Sequence, residues 1–159
     1  MAASLFQRIT VAIDGSPNSQ EALDAAIDLA RHYGGSLVIL AIAPLPPVYV
    51  STTEPFVPAA VSQSQLGRYR EIVEAAVQRA EATGLTSVTG LCDEGVVVDE
   101  ILGHLGRHPS DLLVVGSRGL STARRLLLGS VSTALVNHAP CAVLVVRSPT
   151  ASTPPAAPR

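Results

Sequence analysis

A chain of 159 residues fits one domain of common size and is long enough to bury a core without disulfides or metal. Hydrophobic residues make up 47% but aromatics only 3%, so the core must rest on Val, Ile, Leu and Ala, and stacking platforms for single-stranded nucleic acid are poorly supplied. The net charge of -2 offers no basic field for DNA or anionic membranes, and all 11 basic residues are Arg, which removes Lys nucleophiles, Schiff-base chemistry and the lysine of a Walker A loop.

The first predicted element is a buried strand, Ile9 to Ile13, a nearly continuous apolar run rich in β-branched residues. Asp14, Gly15 and Ser16 supply turn chemistry. Ser16 followed by Pro17 predicts a helix start, with Ala22, Leu23, Ala26, Ile27 and Ala30 on one face and Gly34-Gly35 at its end. Leu37 to Ala43 predicts a second buried strand. Pro44 to Ala60 then carries five Pro and no period, and loops of that length are commonly functional. Tyr49 and Phe56 within it read as a small loop cluster, with a cover over a bound base as the alternative.

Helical period returns with Leu66, Tyr69, Val73, Ala76, Val77 and Ala80, ending at Gly84. Thr86 to Cys92 predicts a third, more polar strand near an edge. Val98, Ile101, Leu102 and Leu105 mark a third helix, stopped before Pro109. Leu112 to Val115 is a fourth strand. A short helix follows over Ser130 to His138, and Ala142 to Val146 is a fifth strand. The expected fold is therefore a single α/β domain over 1–147: an open, doubly wound, five-stranded parallel sheet in order 3-2-1-4-5, with helices on both faces. Residues 148–159 hold four Pro and little that packs, which predicts a disordered Pro-rich tail.

Cys92 and Cys141 are far apart and read as two small buried hydrophobes in strands, which suits a reducing cytosol. The N-terminus lacks the order of a signal peptide. The longest apolar stretch, Leu37 to Val50, is short for a bilayer and is broken by Pro44, Pro46 and Pro47. A cytoplasmic protein with neither membrane nor nucleic-acid partner is the expectation. His32, His104, His108 and His138 show no metal spacing. Asp99-Glu100 are adjacent on a helix and point different ways. No Ser-His-Asp, Cys-His or two-carboxylate arrangement stands out.

Open parallel sheets bind ligands beyond the carboxyl ends of their strands. After the fourth strand the chain reads Val115-Gly116-Ser117-Arg118-Gly119, then nine residues, then Gly129-Ser130-Val131-Ser132. Gly116 and Gly119 permit backbone angles and close approach that a Cβ blocks. Their amides suit an anion-binding nest. Gly129-Ser130 opens a helix whose unpaired N–H groups and positive dipole end favour phosphate. Ser130 and Ser132 add hydroxyls, and Arg118, Arg124 and Arg125 lie in or beside the loop. This is a phosphate cradle assembled without Lys.

That spacing resembles the motif of the nucleotide-binding members of the universal stress protein family: Gly, two residues, Gly, nine residues, Gly, then Ser or Thr. Asp111 to Gly119 resembles the family's fourth strand and loop, and Leu127 to Ser132 its helix start. Ile9 to Ser16 is similar to the opening strand and His138 to Val146 to the closing segment. The likeness spans roughly residues 7 to 147. Two positions depart from it: Val96-Val97-Val98, where the family often has Pro, and Ala142, where Pro often precedes the last strand. The resemblance implies that Asp14 lies against a nucleoside, that backbone at Ile42 meets the adenine edge, and that the glycine loop takes the phosphates, often with Mg2+. The candidate binding residues are thus Ala12, Ile13, Asp14, Ile42, Val115, Gly116, Ser117, Arg118, Gly119, Gly129, Ser130, Val131 and Ser132.

The resemblance also implies a homodimer through the last strand, Val143 to Val146. The expected ligand is ATP, in a regulatory or stress-response role. The alternatives are cyclic AMP at the same loop, slow hydrolysis or self-phosphorylation at Ser130 or Ser132, and an interaction module that binds no nucleotide.

Overall fold

The computed structural model of the protein describes residues 5–45, 49–50, 55–56, 59–119 and 128–148. Strand β1 (Arg8–Ala12) leads to helix α1 (Pro17–Tyr33) and strand β2 (Ser36–Pro44). Two-residue strands β3 (Tyr49–Val50) and β4 (Pro55–Phe56) follow, then α2 (Ala59–Ala82), β5 (Val88–Gly95) and α3 (Val97–Arg107). The chain continues with β6 (Leu112–Gly116), α4 (Ser130–His138) and β7 (Ala142–Val146).

Five strands pair in parallel in the order β5-β2-β1-β6-β7, the 3-2-1-4-5 order that the alternating pattern predicts. The central runs are apolar because both faces are covered, with Thr10 of β1 a buried exception whose hydroxyl lies 2.6 Å from that of Ser110. Ile9, Val11, Leu37, Ile39, Leu112 and Val114 face α1 and α2. Leu40, Ile42, Leu113 and Val115 face α3 and α4. Alternate residues of one strand thus serve two cores, one on each side of the sheet.

Helix α1 starts where Ser16 and Pro17 place it. The Ser16 hydroxyl accepts from the Ser19 amide at 3.2 Å, and Gly34 closes the helix in the left-handed region at φ 61°. At the opposite end of the sheet from the strands' carboxyl ends, Asp111 ties β1 to β6. Its carboxylate accepts from the Gln7 and Arg8 amides at 3.0 and 2.8 Å and pairs with the Arg8 guanidinium at 2.7 Å. The hydrogen bond from Arg8 holds this carboxyl below its ordinary range. Asp111 therefore belongs to the frame of the sheet.

The structure corrects several boundaries. Helix α2 begins at Ala59, not Leu66, and the Pro-rich stretch before it contains the β3-β4 ribbon, with Tyr49 opposite Phe56. Strand β5 runs Val88–Gly95 rather than Thr86 to Cys92, and it does lie at the sheet edge. It pairs along the whole length of β2, out to Pro44 opposite Gly95. The cysteines are half-buried rather than buried. Cys92 lies in β5, but Cys141 precedes β7 instead of lying in it. Burial is the first cause that raises each thiol pKa. Most of the expected tail lies outside the described residues. Ser148, its first residue, bonds to the Asn18 side chain through its amide at 3.1 Å and its hydroxyl at 2.7 Å.

Candidate functional site

The carboxyl ends of β1, β2 and β6 open into one cavity of about 290 Å³. Its walls are built by the strand ends and by the starts of two helices on the same sheet face. Ala12, Ile13 and Asp14 come from β1 and the turn after it, Leu40, Ile42 and Pro44 from β2, and Val115 and Gly116 from β6. Val97 and Ile101 reach it from α3, and Ser130 to Ser132 and Leu135 from α4.

The turn after β1 and the loop after β6 lock against each other. One Asp14 oxygen accepts from the Ser16 amide at 2.9 Å, and the Ser19 hydroxyl accepts from the Asp14 amide at 3.4 Å. Gly15 makes this turn possible with φ 82°. The Ser16 hydroxyl reaches the Arg118 carbonyl at 3.5 Å. The second Asp14 oxygen stands where a Cβ on residue 119 would be. Asp14 is thus a turn-forming residue through one oxygen and a wall of the glycine loop through the other.

The start of the loop is held from within. The Ser117 amide donates to the Val146 carbonyl at 2.7 Å. The Ser117 carbonyl accepts from the Gly129 amide at 2.8 Å and from the Ser132 hydroxyl at 3.0 Å. Ser132 donates also toward the Gly129 carbonyl at 3.0 Å. These bonds place the N-terminus of α4 against the end of β6. Gly129 is the N-cap of α4, with φ -63° and ψ 159°, and no side chain caps the helix. Its first-turn amides and dipole end are therefore without side-chain competition for an anion.

Every sequence-predicted site residue except Ser117 lines the cavity. Ser117 is buried and acts through its backbone as the tie just described. Gly116 and Gly119 were expected to supply unusual backbone angles as well as close approach. Only close approach is observed, since the positive-φ glycines among the described residues are Gly15, Gly34 and Gly84. A Cβ on Gly116 would meet the Asn18 backbone at 2.8 Å, so this glycine lets β6 abut the first turn of α1. Arg124 and Arg125 lie outside the described residues.

Sequence reasoning missed Ser19, Leu40, Pro44, Tyr69, Val97, Ile101 and Leu135 as cavity residues. Most carry the helical or strand period of core residues, and they are core residues that also face the cavity. One signal was available for Val97 and Ile101. A helix that follows a parallel strand begins at the strand's carboxyl end, where ligands bind.

The histidines stay away from this cavity. His104 is buried on α3 with its Nε2 atom lacking a partner, and its ring stands 4.9 Å from that of His108. Burial, then the charges of His108 and Arg107, push its pKa down. Among the described residues no three or more His, Cys, Asp or Glu gather to hold a metal ion, and no helix is long and apolar enough to cross a membrane.

A doubly wound parallel sheet with a cavity at its strand ends, lined by Gly116, Gly119 and the uncapped start of a helix, defines an α/β protein whose cavity lies where such sheets bind ligands. Residues 5–147 match the Universal stress protein family, and the chain belongs to that family. Universal stress protein YxiE from Bacillus subtilis (strain 168) is 35% identical over 149 residues, covering 90% of this chain and all of that one. The fold is similar to that of universal stress protein UspA from Lactobacillus plantarum, with a TM-score of 0.77 and 23% identity over 89% of this chain and 98% of that one. A universal stress protein solved in complex with cAMP is 29% identical, with a TM-score of 0.67 over 90% of this chain and 98% of that one.

Proposed function

We propose that the cavity binds an adenine nucleotide, with ATP as the preferred ligand, and that the protein serves a regulatory or stress-response role in the cytoplasm. One observation carries this reading. Apolar walls from Ile42, Val115 and Leu135 and the uncapped start of α4 open into the same cavity, which Gly116, Gly119 and Gly129 also line. A base needs the first and a phosphate the second. The volume lies near the lower end of the range of about 300–1,000 Å³ for small-molecule sites, which suits a nucleoside with its phosphates directed along the loop. Mg2+ would arrive with the triphosphate. The role is binding, with hydrolysis at most slow.

Competition against a fluorescent adenine analogue tests the ligand. Mg-ATP is expected to displace it at lower concentration than cyclic AMP does. Displacement by cyclic AMP at far lower concentration would favour the second reading, which the cAMP-bound relative supports. The absence of any adenine-nucleotide binding at millimolar concentration would remove the proposal.

We also place a homodimer interface at Val143 to Val146. Strand β7 is a sheet edge, and Leu144 on it is 37% exposed. Sedimentation is expected to give the mass of two chains, and of one chain for Leu144→Arg. A single-chain mass for the unsubstituted protein would dispose of this interface.

A further inference from the structure

Helix α3 closes one side of the cavity with Val97 and Ile101. It seats Ile101 and Leu105 in the core that it shares with Leu135 of α4. Packing holds this helix more than propensity does, since Gly103 and Gly106 fall within it and no side chain caps its start. His104, three residues beyond Ile101, lies on the same helix face and is 7% exposed. A titratable side chain thus stands among the contacts that keep α3 in place.

Among the described residues, His104 Nε2 is the one buried side-chain nitrogen or oxygen without a partner. The charges that act on the ring come from its own helix. They are His108, whose ring centroid is 4.9 Å away, and Arg107, whose guanidinium lies over Gly103. The acidic residues of α3 are turned elsewhere: Asp99 is exposed, and the Glu100 side chain lies over Gly95. Of the elements packed against α3, β2 carries no titratable side chain, β5 carries Cys92, Asp93 and Glu94, and α4 carries His138. None of these acts on His104. A neutral imidazole therefore fits the position and an imidazolium does not. Burial, then His108 and Arg107, hold its pKa below the ordinary 6.5. The carboxyl end of a helix attracts a cation, but burial outweighs that here.

We infer that His104 makes α3 an acid-sensitive wall of the cavity: when this imidazole takes a proton from solvent, the turn that carries it leaves the sheet and α4, and Val97 and Ile101 no longer close the cavity. The open state gives both ring N–H groups water as acceptor, and no covalent bond changes. The stability that α3 draws from a neutral His104 is complete above 6.5 and is lost as pH falls toward the lower value in the folded chain. An occupant of the cavity that touches Val97 and Ile101 favours the closed helix and so opposes acid. The acid step stands without the adenine-nucleotide reading, and only this opposition rests on it.

Amide hydrogen exchange of the full chain, as protection relative to intrinsic rates, tests the wall. Between about pH 7.5 and about pH 5.5 the amides of residues 101–107 are expected to lose about fivefold or more of their protection, while residues 22–30 of α1 lose less. His104→Leu, which is apolar and close in volume, should hold the α3 protection within about twofold over the same range. A proton NMR titration of the unsubstituted protein gives an independent reading, with the His104 midpoint expected below 6.5. A midpoint at or above 6.5, an equal loss in His104→Leu, or an equal loss in α1 overturns the proposal. Saturating Mg-ATP at the lower pH is expected to restore the α3 protection. Binding without that restoration overturns the coupling of α3 to the cavity, and no binding at either pH overturns the nucleotide reading alone.

Discussion

Gly119→Val is expected to weaken adenine-nucleotide binding about thirtyfold while the melting temperature stays within a few degrees. A Cβ at residue 119 falls on the Asp14 carboxylate. The atom it meets is the end of a side chain, which rotates away at modest cost. In the proposed complex the displaced carboxylate then no longer faces the nucleoside, and the new side chain stands in the cavity. Loss of one hydrogen bond to a charged group accounts for about 1.5–3 kcal/mol, and thirtyfold is about 2 kcal/mol. The fold has less at stake, because the frame of the loop is the Ser117 ties to Val146, Gly129 and Ser132. Isothermal titration and a thermal melt on the same preparation check both halves. An affinity within about twofold of the original, in a folded variant, would take Gly119 out of the binding site.

Gly116→Ala should have the opposite profile. Here the added Cβ meets the Asn18 carbonyl carbon at 2.8 Å and oxygen at 2.9 Å. Both are backbone atoms in the first turn of α1, and neither swings aside. The strand is held as well, with Gly116 registered against Val146 in β7. Asn18 is anchored further by its bonds from Ser148. Overpacking at fixed backbone costs about 1–3 kcal/mol, and this site belongs at the upper end. For a chain of this size that lowers the melting temperature by about 6–12 °C. The sign is diagnostic. Where space allows, replacing Gly by Ala stabilises by about 0.4–1 kcal/mol through the unfolded chain. A melting temperature equal to or above that of the parent would mean that β6 and α1 do not abut as described. In the proposed site Gly116 and Gly119 thus divide the work: Gly119 leaves room for the ligand, and Gly116 seats the loop on the fold.

Much of this was legible in the residues themselves. The helix start at Ser16-Pro17 carries its own signals, and α4 and β7 begin and end where Gly129-Ser130 and the Val-rich run place them. The apolar runs of β1, β2 and β6 predicted strands covered on both faces, which the two cores bear out. Errors gathered where local pattern is weak. The first turns of α2 are Ala, Ser and Gln with the single Val61 and form no apolar stripe, so their helical state was invisible to periodicity. The sequence pattern ends the third strand at Cys92, yet Asp93, Glu94 and Gly95 continue it because β2 extends beside them and offers its backbone for pairing. Tertiary context overrode local preference there.

The sequence by itself determined the order of elements, the sheet that this order implies, and the glycine spacing that points to the loop after β6. These depend on periods of 2 and 3.6 and on single residues at chain ends of elements, all of which are local. Only the tertiary structure decided what each loop residue does. It turned Ser117 inward, set Gly116 against Asn18, laid the Asp14 carboxylate beside Gly119, and brought Tyr69 to the same cavity. Residues 14, 69 and 119 lie far apart in the chain and share no period. Their meeting is fixed by how the helices pack onto the twisted sheet, and a local pattern carries no record of that.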